Sequence, residues 1–312
     1  MIQGVKILIL GAGGIGGYFG GRLAAAGADV TFLVRPRRRD QLQQDGLRVR
    51  SELGDLQMPV ATVLAADVRP VFDLVLLTCK AYDLESAIAA IAPAMHGPAA
   101  VLPLLNGIAH FARLDERFGR AHVIGGTCSI NVSLRPDGVV QHNGRLQRFV
   151  FGERDRTRSS RVEALAAAMR ATTVDWLLSD DIDQDVWEKI VFLSALASMT
   201  CLFRANVGEI NAAPGGTDAM RRVLLGNAEI AAREGHAPRQ AAMDFALAGL
   251  LDPAGTWSAS MLRDLEAGGA VESDHVVGWM LERARAHGVD DTLLSLAYTH
   301  LKAYEARRAA GR

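Results

Sequence analysis

Hydrophobic positions change their spacing several times along the chain, and each change predicts an element. Val5-Lys6-Ile7-Leu8-Ile9-Leu10 is nearly continuous apolar sequence, the pattern of a parallel strand buried on both faces. It stops at glycines, residues 18–27 then read as a helix of small residues, and residues 29–34 form a second strand. Residues 73–78 (DLVLLT) repeat the buried-strand pattern. Residues 84–91 return to helical spacing, and residues 100–105 make the next strand, ending at Asn106-Gly107. Between the second and third of these strands, residues 46–50 and 56–60 bracket Glu52-Leu53-Gly54-Asp55, a hairpin expected to insert into the same sheet. Later strands are expected at residues 122–133, 138–142, 149–152 and 174–178, with a helix over 159–171. Alternating strands and helices of this kind form a doubly wound sheet whose ligand lies outside the carboxyl ends of the strands.

Ser179-Asp180-Asp181-Ile182-Asp183 supplies capping groups and marks a change of composition. The expected division is residues 1–178 and 179–312. Beyond it the spacing is helical throughout. Residues 186–205 are apolar nearly all round, as the central helix of a bundle is. Helices over 218–235, 240–250, 258–267, 272–287 and 292–308 would pack around it. The expected architecture is therefore an α/β N-terminal Rossmann-like doubly wound sheet with a second, all-helical C-terminal domain.

Composition narrows the class of function. A chain of 312 residues can hold two cores. Its formal net charge of −1, with 22% charged residues, argues against nucleic acid or a membrane surface as a general partner. Cys79, Cys128 and Cys201 are few and far apart, so neither a disulfide framework nor a zinc site is expected, and a reducing cytosol is. Lys6, the apolar run and Ala24-Ala25-Ala26-Gly27-Ala28 imitate a signal peptide, but glycines break the run where a strand-to-helix turn needs them. Residues 190–203 lack charge and are too short to span a bilayer comfortably; a buried core helix is expected.

The candidate chemistry begins at the end of the first strand. Gly11-Ala12-Gly13-Gly14-Ile15-Gly16 fits the dinucleotide fingerprint in its strand–turn–helix context. Gly11 allows the turn, Gly13 lets backbone approach a pyrophosphate, and Gly16 lets helix and strand pack closely. The start of the helix, at Gly14 and Ile15, offers N–H groups and partial positive charge to phosphates. After the second strand, where an acidic residue would hold the ribose hydroxyls of NAD, the chain reads Val34-Arg35-Pro36-Arg37-Arg38-Arg39. Arg35 suits the 2′-phosphate of NADP(H), with Arg37 to Arg39 able to assist. Lys80 and Asn106 stand at the carboxyl ends of later strands.

In the second half, Lys189 is a charge in the first turns of an otherwise apolar helix. It either snorkels from an exposed end or projects into an interdomain cleft, where it could give a proton to a carbonyl oxygen as hydride reaches carbon. Ser258 and Ser260 open a helix, able to cap it or to bind a substrate carboxylate. Glu272 begins the next helix. His275, one turn on, reads as a surface residue.

Taken in order, Gly11 to Gly16, Arg35, Thr78-Cys79-Lys80-Ala81, Leu105-Asn106-Gly107, Val186-Trp187-Glu188-Lys189, Ser258-Ala259-Ser260-Met261-Leu262-Arg263-Asp264 and Glu272-Ser273-Asp274 resemble the ketopantoate reductases (2-dehydropantoate 2-reductases) over nearly the whole length. The resemblance implies NADPH reducing a 2-oxo acid, ketopantoate to pantoate in pantothenate biosynthesis. It implies that Lys189 is the general acid, that Glu272 hydrogen-bonds the substrate and Ser260 contacts it, and that Lys80 and Asn106 lie near cofactor and reacting centre. The chain departs from the family where Leu193 and Ala197 replace asparagines four and eight residues after the lysine. Trp257 stands where an asparagine is often found, and the late proline-asparagine is lost around Asp290-Asp291-Thr292. These departures leave hydride transfer intact and bear on the substrate. Two alternatives follow: the same chemistry on a less polar 2-oxo acid, or an NADP(H)-sensing protein without turnover. Retention of Lys189 with Glu272 favours the enzyme. The C-terminal helices could support a homodimer.

Overall fold

The computed structural model describes residues 4–311, which form two compact units. The first takes in the chain up to Leu105 together with His110–Asp183; the second takes in Asn106–Ala109 and continues from Gln184. The helical unit thus starts a few residues beyond the 178/179 division expected from composition. It also captures the short Asn106–Ala109 segment.

In the first unit the order is β1 (Lys6–Leu10), α1 (Gly14–Ala25), β2 (Asp29–Leu33), α2 (Pro36–Asp45), β3 (Leu47–Arg50), β4 (Leu56–Met58) and β5 (Ala61–Val63). There follow β6 (Leu74–Leu77), α3 (Leu84–Ile91), β7 (Ala100–Pro103), α4 (His110–Phe118), β8 (Gly125–Leu134), β9 (Val139–Gly152), α5 (Ser160–Arg170) and β10 (Asp175–Leu178). A five-stranded sheet runs β5-β2-β1-β6-β7, every pair parallel. The chain order reverses at β1, so the crevice beyond the ends of β1 and β6 is the place where such sheets bind ligands.

The hairpin β3–β4 departs from expectation. It joins a second sheet, β10-β9-β3-β4, with β8 paired on β9, rather than the first. The reason lies in α1, which is packed between the two sheets. A Cβ on Gly20 would stand 2.4 Å from Ile9 Cδ1 and 2.8 Å from the Phe32 ring, on the first sheet. A Cβ on Gly17 would stand 2.7 Å from Val140 Cγ2, and one on Gly21 2.9 Å from Leu47 Cδ2, on the second. The paired glycines that read as a small-residue helix are thus a helix with two close contacts on opposite faces. The expected strands at 138–142 and 149–152 are one strand, β9.

The second unit holds α6 (Ile182–Phe203), α7 (Val207–Ala212), α8 (Gly216–Arg233), α9 (Gln240–Leu250), α10 (Ser260–Glu266), α11 (Trp279–His287) and α12 (Thr292–Ala309). Among the described residues α6 alone is long and apolar enough to cross a membrane. Its Ile190, Val191, Ala195 and Met199 are nonetheless at most 1% exposed, inside the helical core. The helix expected over 272–287 opens with a π turn, Asp274–Gly278, before α11. Such wide turns cost helix geometry and tend to mark functional segments. This one is tied to α12: Ser273 Oγ donates to Glu305, and Asp274 accepts from Tyr298 Oη at 2.7 Å and from Lys302 Nζ at 3.2 Å.

Candidate functional site

At the end of β1, Gly11 takes φ +96°, a conformation that a Cβ would strain, and its N–H donates to Leu33 O at 2.9 Å. A Cβ on Gly16 would lie 2.1 Å from Gly11 O and 2.5 Å from Thr78 Oγ1, so only glycine closes this turn. Thr78 Oγ1 itself donates to Leu10 O at 2.7 Å, tying the ends of β1 and β6 together. The cap of α1 is Gly13, with no side-chain acceptor. By helix geometry the N–H groups of Gly14, Ile15 and Gly16 are left without intrahelical partners, ready for an anion.

Beside this turn lies a cavity of about 840 Å³ whose wall includes Gly11, Gly13, Arg35, Arg37, Asp83 and Arg135. The arginines of the cluster divide by role. Arg38 is committed to structure: its Nε donates to Ala12 O at 3.0 Å and its Nη1 to Gly138 O at 2.9 Å. Burial, with Arg48 nearby, lowers its pKa. Arg35 remains 79% exposed, paired with Asp83 at 3.3 Å. No carboxylate stands at the end of β2 in sequence, yet the fold brings one to Arg35 from the turn before α3. Arg135, on the loop between β8 and β9, is a cationic wall residue that sequence reading did not find; its signal was masked by the adjacent Asp137, 3.1 Å away. Lys80 sits between Cys79 and the Ala81–Asp83 turn, its carbonyl accepting from Asp83 N at 2.9 Å. A glycine-closed turn, open helix N–H groups and a cavity edged by guanidinium groups fit a phosphorylated dinucleotide.

The second unit gathers the remaining candidates. Lys189 Nζ donates to Asn106 Oδ1 at 3.2 Å, both partly buried. Lys189 is therefore engaged inside the unit, rather than snorkelling from a free helix end. Gly107, with φ +91°, places its Cα so close to the π turn that a Cβ would meet His275 O at 2.7 Å. The Asn106-Gly107 pair thus joins Lys189 to the segment of Glu272, which is 6% exposed. His275 is half-buried rather than a surface residue. Burial pushes its pKa below the ordinary value, against the opposing pull of Glu272 and Asp274.

Ser260 opens α10, a separate helix from the α6 that carries Lys189. Residues 189, 193, 197 and 200 recur at helical spacing. Thr200 Oγ1 accepts from Ala259 N at 3.4 Å, which holds the start of α10 on α6. The cap of α10 is Ala259, so neither Ser258 nor Ser260 closes the helix with its hydroxyl. Leu193 is partly buried, whereas Ala197 is 1% exposed and part of the core. Of the two apolar replacements, Leu193 is the one left with accessible surface.

The Val186-Trp187-Glu188-Lys189 stretch fixes the lysine's turn. Trp187 is buried and stacks on His236 with ring centres 5.2 Å apart. Glu188 accepts from Arg239 N at 2.8 Å, Arg239 Nε at 2.7 Å and Arg239 Nη2 at 2.6 Å. Burial acts to raise its pKa, but the bonds from Arg239 and Gln184 outweigh it and hold the carboxyl low. A depressed carboxyl contributes stability that is complete above the unfolded value, about 4.3, and is lost as pH falls through the folded one. Glu188→Gln should therefore cost about 1–2 kcal/mol at neutral pH, where a half-exposed arginine is the partner. The gap from wild type should close toward pH 3. Denaturation of both proteins at the two pH values measures it; a gap independent of pH would show that the charge is immaterial.

A dinucleotide-type turn in one unit, and in the other a lysine–amide pair joined through Gly107 to the segment of a buried glutamate, suit an NAD(P)H-dependent oxidoreductase acting on C=O and CH–OH groups. The chain belongs to the ketopantoate reductase family: residues 7–156 match the model "Ketopantoate reductase PanE/ApbA" and residues 181–305 its C-terminal counterpart. It is 34% identical to the uncharacterized oxidoreductase YkpB of Bacillus subtilis, over 97% of this chain and 100% of that one. The structure of a PanE/ApbA family ketopantoate reductase from Ralstonia eutropha JMP134 superposes with a TM-score of 0.85 at 26% identity, covering 98% of this chain and 100% of that one. D-mandelate dehydrogenase, solved with NADH and anilino(oxo)acetate, shares the fold at TM-score 0.85 and 21% identity, with 98% and 99% covered.

Proposed function

We propose that this protein is an NADPH-dependent reductase of a 2-oxo acid in the cytoplasm, with ketopantoate, giving pantoate for pantothenate biosynthesis, as the first candidate. The observation that carries the reading is the Lys189 Nζ–Asn106 Oδ1 pair at 3.2 Å, whose neighbour Gly107 packs on the π turn that follows the nearly buried Glu272. NADPH supplies hydride to the carbonyl carbon. Lys189 gives a proton from Nζ to the carbonyl oxygen, which becomes the hydroxyl, and recovers one from solvent. Asn106 accepts from Nζ and so fixes where the lysine's remaining N–H groups point. Glu272 accepts a hydrogen bond from a substrate hydroxyl, and Ser260 Oγ, at the start of α10, donates to the carboxylate. On the cofactor side, Gly11, Gly13, Gly14, Ile15 and Gly16 receive the pyrophosphate, Lys80 supports the cofactor, and Arg35 pairs with the 2′-phosphate.

Membership of the ketopantoate reductase family supports the reaction type. The D-mandelate dehydrogenase relative in fold, with its NADH and aryl ligand, shows that the architecture itself ties neither cofactor nor substrate. A panel of 2-oxo acids assayed at constant NADPH tests the proposal. Oxidation of NADPH that depends on one of them is the expected result. Tight NADPH binding with no turnover on any member would support the sensor reading instead.

A further inference from the structure

Beyond the proposed reaction, on which it rests, we infer that the substrate carries a bulky apolar or aromatic side chain, seated on Trp257 with Phe192 and Phe245. These three rings form a closed cluster. Phe192 and Phe245 have centres 5.8 Å apart, Phe192 and Trp257 5.9 Å in an edge-to-face pair, and Phe245 and Trp257 5.9 Å. Trp257 is 44% exposed and Phe245 59%. Large aromatic rings left open to water in a group, rather than singly, mark a binding surface.

The cluster is continuous with the proposed substrate residues. Phe192 stands one helical turn beyond Lys189 on α6, about 4.5 Å along the axis, and residues at that spacing are surface neighbours. Trp257 is three residues before Ser260, on the segment that Thr200 and Ala259 hold against α6. Its edge-to-face contact with Phe192 ties the indole to the stretch of α6 that carries the proton donor. Leu193, the partly buried residue one turn from Lys189, extends the apolar surface.

The seat is built rather than incidental. A Cβ on Gly249 would meet Trp257 Cζ3 at 2.4 Å, so the ring fills a slot that only glycine on α9 leaves open. The backbone is held as well, Trp257 O accepting from Val207 N at 3.0 Å. An indole fixed in this way offers a flat apolar face at little entropic cost. It offers no acceptor for the hydroxyl of a polar 2-oxo acid, since the indole N–H only donates. An amide in its place could both donate and accept.

The test compares phenylglyoxylate, phenylpyruvate and ketopantoate as substrates of wild type, Trp257→Asn, Trp257→Phe and Phe245→Ala, with NADPH constant. Wild type should favour one of the aryl acids over ketopantoate in kcat/KM by about tenfold, the scale of a modest apolar contact. Trp257→Asn should lose about tenfold on that acid without losing on ketopantoate, and Trp257→Phe should keep most of the preference. Phe245→Ala, on an exposed helix position, should weaken the aryl acid severalfold, and reads the same contact if Trp257→Asn does not fold. A wild type that favours ketopantoate, with a ratio unmoved by either Trp257→Asn or Phe245→Ala, overturns the inference while leaving the reductase intact. A change of oligomeric state in those variants, with the ratio unmoved, overturns it too and gives the cluster to a contact between copies. Absence of turnover on all three acids and the wider panel removes the reductase reading first.

Discussion

Lys189→Ala should lower kcat by about 10²–10⁴-fold while the dissociation constant for NADPH stays within about twofold, because positioned general acids supply rate on that scale. The side chain reaches Asn106 at 3.2 Å within its own unit, and the residues that line the nucleotide cavity all belong to the other unit. Its removal leaves the Asn106 amide without that partner, a loss that a destabilisation of about 1 kcal/mol would reflect. Lys189→Arg keeps the charge and should not restore turnover, since a guanidinium holds its proton at neutral pH and has a different donor geometry. Asn106→Ala should give a smaller loss, because the lysine survives with its direction less constrained. Turnover of Lys189→Ala within tenfold of wild type, at saturating substrate, would exclude proton donation by this residue.

The signals that sequence reading used well were those in which one residue type has one physical purpose. Gly11 and Gly16 stand where a strand meets a helix, and the structure leaves no space for any other side chain at Gly16. The helices at Leu84–Ile91 and Gln240–Leu250 matched their apolar spacing residue for residue. What was not legible depended on partners distant in the chain. Alternation in residues 46–60 announces a hairpin, but not which sheet accepts it; the second face of α1 decides that. The short strand β5 has only three residues, too few for a period to show, and is a strand because β2 offers an open edge. The helix α7 begins with an Asn206–Glu209 capping box that was present in the sequence and went unread.

The candidate site divides in the same way. Residue types at Lys189, Glu272 and Ser260 were visible, while the bond from Lys189 to Asn106, across 83 positions, was not. Of the four arginines after β2, Arg37 to Arg39 read alike as helpers of Arg35, yet Arg38 turns inward to two carbonyl groups while Arg35 stays at the cavity. Asp83 was invisible as its partner, since 48 positions separate the two residues in the numbering.

That partner shapes the expected cofactor preference. Arg35→Ala should weaken NADPH by about ten- to a hundredfold, the loss of one or two charge-assisted bonds to a phosphate, while NADH changes little. In the structure Arg35 is held by Asp83 at 3.3 Å with both side chains substantially exposed. An exposed pair of that kind contributes little on its own, so a dianionic 2′-phosphate can take the guanidinium from it. The same carboxylate would then stand close to the phosphate and repel it. Asp83→Asn should therefore tighten NADPH by about threefold to tenfold, a change within the reach of one charge at a screened surface, and leave NADH level or slightly weaker. The double variant Arg35→Ala/Asp83→Asn separates the two effects, because removing the repulsion cannot replace the lost donor. Binding of both cofactors to the four proteins, followed by calorimetry at two salt concentrations, gives the comparison. The difference between NADPH and NADH should shrink at high salt in wild type and be small at either salt in Arg35→Ala. Equal losses for NADPH and NADH in Arg35→Ala would mean that this arginine does not read the phosphate. An NADH preference in wild type, reversed by Asp83→Asn, would instead place Asp83 on the ribose hydroxyls, in the role that an acidic residue after β2 usually fills.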